Sequence, residues 1–208
     1  MPTLNDIQTT LARSLRDTAL GTFTSAELND WINRGIDSIA DVYPKEVSDY
    51  SITIAANVFT YAPTTAFSRI YRVDVHSSSD SYLGVFPKGI GDGRDSGWEW
   101  HASLLWLPPN RAIGTGNKLR LFGYARYIQL SAATSTTELD QSAINAVISF
   151  AEAEAMMALM ADRAKFQQWQ ATPGNTDVSL IQVASIQQRA EQRWRREQTR
   201  MRRMRKLG

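Results

Sequence analysis

The stretch SLIQVASIQQRAEQRWRREQTRMRRMRK, at residues 179–206, predicts one long helix. No proline or glycine lies between Gly174 and Gly208. Apolar residues recur along the stretch at three- and four-residue steps, interrupted by Glu197, which places them on one helical face. They are Val183, Ile186, Ala190, Trp194, Met201 and Met204. At about 1.5 Å per residue the helix would be roughly 40 Å long and would extend beyond a small domain.

Residues 189–208 are strongly basic. They hold nine of the 23 basic residues but only two acids, Glu191 and Glu197, which gives a net charge of +7. The other 188 residues carry 14 basic and 19 acidic side chains, a net charge of −5. A solvated helix face normally mixes charges of both signs, whereas this segment is almost entirely basic. The segment is therefore predicted to be a docking element for a nucleic acid or an acidic protein surface.

The residues that accompany the arginines favour a protein partner. Trp194, Met201 and Met204 fit a protein groove, in which apolar residues anchor a helix and guanidinium groups meet carboxylates. A net acidic remainder and the lack of a nucleic-acid reading motif argue against DNA, which stays the alternative. The predicted contact residues are Arg189, Arg193, Trp194, Arg195, Arg196, Arg200, Met201, Arg202, Arg203, Met204, Arg205 and Lys206.

Length and composition predict a folded protein. The 208 residues suffice for one domain or one domain with an insertion, and 43% of them are hydrophobic, including six tryptophans. The N-terminal residues lack the apolar core of a signal peptide, and no 18 consecutive apolar residues occur. Neither secretion nor a membrane partner is therefore expected, and the chain is predicted to be made in a cytoplasm. The absence of cysteine excludes disulfides, thiol catalysis and cysteine-based zinc sites.

Capping signals predict two helices in the first part of the chain. Thr3 with Asp6, and Thr24 with Glu27, have the spacing of a capping box. Pro44 ends the second helix, because a proline disfavours helical geometry in the residue before it. The predicted apolar faces are Leu4, Ile7, Leu11 and Leu15 in the first helix, and Leu28, Trp31, Ile32, Ile36, Ile39 and Tyr43 in the second.

Helix is predicted to return after the middle of the chain. An alanine-rich helix is expected from Glu138 to about Trp169, where small side chains let a neighbouring helix approach closely. A turn at residues 172–175 then precedes the long helix, which Asp177 is expected to cap.

The pattern between Tyr50 and Leu130 changes to a period of two residues, which is typical of strands. Short β-branched or aromatic runs alternate with turn residues, at 51–54, 57–61, 70–75, 104–107 and 118–124. The region therefore predicts an antiparallel β module, with residues 87–97 as its longest loop.

The predicted fold class follows from this order of elements. The chain is expected to be an α+β protein, a helical bundle of about four helices with an inserted antiparallel β module and a long C-terminal helix. The helical body is assigned to residues 1–46 and 132–188, the β-rich insertion to 47–131, and the basic docking helix to 189–208.

Candidate ligand and catalytic motifs are weak. The run Gly89–Gly93 lacks the third glycine of a dinucleotide fingerprint because the next residue is Arg94, so a flexible loop is predicted. Asp92 and Asp95 have no further carboxylate that would complete a calcium loop. His101 lies among tryptophans and is interpreted as part of a packed strand surface or a subunit contact.

Other catalytic arrangements are missing from the sequence. No Gly-x-Ser-x-Gly turn presents a nucleophilic serine, and Glu152 and Glu154 lie two residues apart on a predicted helix and so point in different directions. We therefore predict no enzymatic activity, no cofactor and no metal site.

Several segments share a pattern with a known family. Residues 4–7 (LNDI) open a short helix, residues 23–33 (FTSAELNDWIN) carry a threonine, glutamate, leucine and isoleucine-asparagine pattern, and residues 39–44 (IADVYP) end on a proline. A β region follows, and then Glu138-Leu139 lead into an alanine-rich helix. This combination resembles the head-to-tail adaptor, or connector, proteins of tailed bacteriophages, which form a ring beneath the portal at the neck of the virion.

The resemblance implies a structural protein that forms a homo-oligomeric ring, typically a dodecamer, between the portal protein and a tail or stopper protein. It implies assembly in the host cytoplasm, a place in the virion neck, and a channel through which double-stranded DNA passes at genome ejection. The acidic partner of the basic helix is then the portal, so the residues from Arg189 onward are predicted to bind it. The alternative is a DNA-binding protein that uses the same arginines on phosphates.

Overall fold

The computed structural model of the chain describes residues 1–89, 97–109 and 113–207, with side chains up to residue 202. The chain divides into two compact units. The helical unit comprises Met1–Tyr43 and Tyr127–Gly208, and the sheet unit comprises Pro44–Arg126. All described helices lie in the first unit and all described strands in the second, which confirms the predicted α+β class.

The first two helices, α1 (Leu4–Ser14) and α2 (Ser25–Ala40), begin at the predicted capping boxes. Thr3 Oγ1 accepts the Asp6 N–H at 3.2 Å, while the Asp6 carboxylate accepts the Thr3 N–H at 2.8 Å. Thr24 and Glu27 repeat this exchange at α2. Each box satisfies two backbone donors that a helix leaves unpaired, so the local sequence marks where both helices begin.

The alanine-rich region forms two helices instead of the one that was predicted from Glu138 to Trp169. They are α3 (Gln141–Ala161) and α4 (Arg163–Gln170). Asp162 between them is extended, and its carboxylate accepts the N–H groups of Ala164 and Lys165 at 2.9 and 3.1 Å. An aspartate side chain accepts hydrogen bonds from backbone N–H groups and is a favoured N-cap. Asp162 therefore separates α3 from α4 although no proline or glycine lies between them.

The last helix, α5 (Leu180–Leu207), has the predicted length, but the prediction that Asp177 caps it is wrong. Ser179 Oγ accepts the Gln182 N–H at 3.3 Å, and Gln182 Oε1 accepts the Ser179 N–H at 2.7 Å. Ser179 and Gln182 therefore form a capping box with two reciprocal hydrogen bonds. Asp177 lies two residues before Ser179 and is not part of this box.

The core of the helical unit is built around α3, which contacts each of the other four described helices. Its fully buried alanines include Ala143, Ala146 and Ala155. Among the described residues α3 is also the one helix long and apolar enough to span a membrane, but 61% of its most apolar window is buried inside the protein. That burial is typical of a core helix.

The described strands form two antiparallel sheets. The larger sheet has the order β1-β7-β3-β4 and the smaller one the order β2-β6-β5. The strands are β1 (Lys45–Thr53), β2 (Thr60–Tyr61), β3 (Arg69–His76), β4 (Tyr82–Phe86), β5 (Glu99–His101), β6 (Leu104–Trp106) and β7 (Lys118–Ala125). The core of the sheet unit includes Val73, Trp98, Leu105, Leu119 and Leu121.

The loop predicted at residues 87–97 is described only at its two ends. Gly89 N donates to Trp98 O at 2.9 Å and Trp98 N donates to Pro87 O at 3.0 Å, so these ends are paired. Asp92 and Asp95, and most of the run Gly89–Gly93, lie outside the described residues.

Candidate docking site on the arginine-rich helix

Helix α5 packs on its own protein along most of its length. Its apolar stripe is buried, since Val183, Ala190 and Met201 are fully covered and Trp194 is 8% exposed. The Trp194 ring meets the Phe150 ring of α3 edge to face, with centroids 5.4 Å apart. Trp194 and Met201 were predicted to contact a partner, but they lie in the core of the helical unit and hold α5 in place. The described arginines of α5 are all exposed to solvent.

Three of these arginines have carboxylate partners. Arg193 Nη2 lies 2.8 Å from Glu152 Oε2 on α3. Arg195 pairs with Glu191, and Arg200 Nη1 lies 3.8 Å from Glu197 Oε2, both within α5. The side chains of Arg203, Met204, Arg205 and Lys206, also predicted as contacts, lie outside the described residues. Among the described residues, no acid pairs with Arg189, Arg196 or Arg202.

The described arginines fall on two faces of α5. Since an α-helix turns once in about 3.6 residues, one face holds Arg189, Arg193, Arg196 and Arg200. Arg195 and Arg202 lie on another face of the helix, away from the first four. The two faces carry the same kind of charge but have different surroundings.

A groove runs beside the first of these faces. It has a volume of about 500 Å³ and lies between the end of α1, α3 and α5. Its lining, which we call the arginine groove, consists of Ser14, Arg16, Glu152, Ile186, Arg189, Gln192, Arg193 and Arg196. A second cavity of about 390 Å³ shares Ser14, Glu152, Arg193 and Arg196, and adds Thr10, Asn145, Ile148, Ser149 and Glu197. The two cavities therefore adjoin along α5.

Glu152 lies at the buried side of the groove, with a side chain 7% exposed. Burial raises the pKa of its carboxyl above the ordinary value, whereas Arg193 and Arg189 lower it. The two neighbouring cations favour the charged form that burial disfavours. Glu154, two residues on, pairs instead with Arg34 at 2.9 Å. The prediction that Glu152 and Glu154 do not form a carboxylate pair is confirmed.

Arg16 is the groove residue that the sequence did not reveal. It follows α1 in the left-handed backbone region, with a φ of 54°. Its Nη1 donates to the carbonyl oxygen of Gly174 at 2.8 Å. Gly174 is distant in the sequence and is brought close only by the tertiary fold, so no local pattern identifies Arg16 as part of a site.

The described candidates around His101 lie in different environments. Trp98 is buried in the sheet core and its Nε1 donates to Phe86 O at 3.0 Å. Trp106 is 47% exposed, and His101 is exposed at the end of β5. Within the described residues, no group of three or more His, Cys, Asp or Glu side chains could hold a metal ion.

A family model described as SU10 adaptor protein matches residues 2–205. The match covers both units and includes α5 as far as Arg205. No curated protein matches the chain.

Proposed function

The chain belongs to the SU10 adaptor protein family and is a phage adaptor protein, and on this premise we propose that it joins the DNA-filled head to the tail beneath the portal. The family match over residues 2–205 is the observation that carries this proposal. In this role the protein is a structural component of the virion neck and catalyses no reaction. The DNA leaves the head through the channel that the adaptor surrounds.

The proposed assembly is a ring of identical subunits. The resemblance to adaptor proteins implies twelve copies. A closed ring needs two unlike faces on each subunit, one for each neighbour. We assign ring formation to the helical unit, and the contact with a neighbouring subunit or with the tail or stopper protein to the sheet unit. The net acidic sequence before Arg189 supports a channel wall that repels DNA phosphates.

The proposed portal contact is the exposed arginine surface of α5. Its described members are Arg189, Arg193, Arg195, Arg196, Arg200 and Arg202, and the segment continues through Lys206. Each contact between exposed charges contributes little by itself. Repetition around a ring makes the contacts multivalent, so the assembly binds far more tightly than one subunit.

The proposal is tested with the full chain and the portal protein of the same phage. Size-exclusion chromatography and electron microscopy of the mixture should show a ring of the chain stacked on the portal. The complex should weaken as salt concentration rises, because exposed ion pairs are screened. A chain that elutes separately from the portal at low salt, with no ring on portal particles, would refute the proposal.

DNA binding by the same arginines is the second candidate, and the lack of an acid partner for Arg189, Arg196 and Arg202 among the described residues is the observation that favours it. Salt weakens phosphate contacts as well, so salt dependence alone does not separate the two. Fluorescence anisotropy with a short labelled DNA duplex separates portal docking from DNA binding, because it measures duplex affinity directly. Duplex binding tighter than portal binding in the same buffer would establish the second candidate.

A further inference from the structure

We propose that the arginine groove, and not the arginine-rich helix as a whole, is the seat for carboxylate side chains of the portal protein. This rests on the portal docking proposed above and names the residues and the ligand chemistry of that contact. It also reverses the arrangement expected from the sequence, in which α5 is a rod that enters a cleft in its partner. Here the adaptor supplies the cleft, and an acidic segment of the partner enters it.

The net positive charge of the groove favours an anionic ligand. Its lining includes four arginines, Arg16, Arg189, Arg193 and Arg196, and one acid, Glu152. That carboxylate is already hydrogen-bonded to Arg193 at 2.8 Å. The arginines in this lining outnumber the acids by three, and the adjoining cavity, which Arg193 and Arg196 also line, adds one acid, Glu197. An anionic ligand would therefore relieve the mutual repulsion of the arginines.

Three of the four groove arginines are held in place before any ligand binds. Glu152 fixes Arg193, the carbonyl oxygen of Gly174 fixes Arg16, and the carbonyl oxygen of Ser185 accepts Arg189 Nε at 3.3 Å. A guanidinium has five N–H donors, so each of these side chains keeps donors for a ligand. Less conformational entropy is lost on binding when the side chains are already ordered, which favours a specific contact.

The shape of the groove favours carboxylate side chains over a DNA backbone. A volume of about 500 Å³ between three helices admits a few side chains but not a double helix. Ile186 adds an apolar surface for the aliphatic stems of glutamate or aspartate. Arginine also binds carboxylates through two parallel hydrogen bonds. A phosphate backbone, in contrast, needs only accessible charge, which Arg195 and Arg202 on the other face supply equally well.

Helix α5 offers a matched pair of variants that separates these outcomes. Arg189→Glu with Arg196→Glu reverses two charges in the groove, and Arg195→Glu with Arg202→Glu reverses two charges outside it. Both pairs are seven residues apart on the same helix, are exposed, and change the net charge equally. Arg193 is left unchanged, because its loss would leave Glu152 without its partner. Thermal unfolding of both full-length variants checks that each is folded.

We expect the groove variant to bind the portal at least about tenfold more weakly, and the matched variant to stay within about fivefold of the unaltered protein. Equal weakening by both pairs overturns the groove as the seat while leaving portal docking by α5 intact. An unaltered chain that does not bind the portal overturns the portal role itself. If the groove variant unfolds, the milder pair Arg189→Gln with Arg196→Gln replaces it. This pair should also weaken portal binding, by a smaller factor, and unchanged portal binding would overturn the proposal.

A direct probe tests the ligand chemistry without the portal. Hexaglutamate peptide and a short DNA duplex are titrated into the full chain by calorimetry. Hexaglutamate affinity should fall with the groove pair of substitutions and not with the matched pair. Duplex affinity should fall equally with both. The reverse result, with the duplex sensitive to the groove pair and hexaglutamate insensitive, would show that the groove binds phosphate.

Discussion

Arg193 Nη2 lies 2.8 Å from Glu152 Oε2, so an arginine on the solvent face of α5 neutralises a buried carboxylate on α3. The arginine side chain is 53% exposed and the glutamate 7%. This pair connects the packing of α5 to the charge of the arginine groove. A change at either residue therefore affects both stability and the docking surface.

Arg193→Ala should lower the free energy of unfolding by about 2 kcal/mol, because it leaves the Glu152 carboxylate buried without its partner. The loss is smaller than for a fully buried pair, since water reaches the arginine. Urea unfolding followed by circular dichroism measures it. Adding Glu152→Gln to the same chain should restore most of the lost stability. A double variant no more stable than Arg193→Ala alone would contradict the role of this pair.

Trp194→Ala should lower the free energy of unfolding by about 3–5 kcal/mol, because it opens a cavity between α5 and α3 next to Phe150. Arg195→Ala, one residue on and with a side chain 72% exposed, should change stability by no more than about 0.5 kcal/mol. Urea unfolding of the two variants is the measurement. Equal stability of both would mean that Trp194 is not part of the core.

The same core contacts limit how portal docking can be studied. A truncation after Gln188 would remove the core residues Trp194 and Met201 and the buried Ala190 together with the arginines. Loss of portal binding in that truncation would reflect unfolding as much as lost charge. Substitution of exposed arginines leaves the packing of α5 intact, and is the sharper experiment.

Asp49→Asn should destabilise the sheet unit by about 1–3 kcal/mol at neutral pH. The Asp49 carboxylate accepts the N–H groups of Ser51 and Thr65, each at 2.7 Å, and the hydroxyl of Thr64 at 2.8 Å. Burial alone would raise the pKa of Asp49, but the hydrogen bonds from Ser51, Thr65 and Thr64 outweigh it and hold the pKa well below the ordinary 3.8. An amide is a weaker acceptor than a carboxylate.

The pH dependence of this effect has a definite sign. A carboxyl whose folded pKa is depressed stabilises the fold above its unfolded pKa, and the stabilisation is lost as pH falls through the folded value. The stability gap between the unaltered protein and Asp49→Asn should be largest at neutral pH and should shrink below pH 3.8. Denaturant unfolding across this range measures it. A gap that does not change with pH would refute the assigned hydrogen bonds to the charged form.

Gly123→Ala should destabilise the sheet unit by about 1–3 kcal/mol through overpacking. A Cβ at this position of β7 would lie 2.4 Å from the carbonyl oxygen of Arg69 and 2.5 Å from Phe67 Cδ1. Gly114→Ala is the matched control, because its nearest contact would be 3.4 Å, and its stability should be unchanged or slightly higher. Thermal unfolding compares the two, and equal melting temperatures would contradict the close approach at Gly123.

Elements with a short-range signal were predictable from the sequence. The capping boxes at Thr3 and Thr24 each depend on residues three positions apart, and the alternation in β7 repeats every two residues. Strands β4 and β5 were missed because they are short, one of them contains Gly84, and they are ordered by pairing with β3 and β6. Such pairing is a tertiary effect that a local pattern does not contain.

The docking site was predictable only in its charge. The arginines of α5 are visible in the sequence, but the apolar stripe that includes Trp194 and Met201 shows only which face is covered, not what covers it. The structure covers that face with the protein's own core. The groove depends on Arg16, which follows α1, and on Glu152 of α3, and both join α5 only in the folded chain.

The most direct test of the account is an electron microscopy structure of the full chain bound to the portal protein of the same phage. We predict a closed ring of subunits beneath the portal, with portal carboxylates within roughly 4 Å of the guanidinium groups of Arg189 and Arg196. A ring in which other residues contact the portal, while these two arginines face solvent or DNA phosphates, would contradict the account.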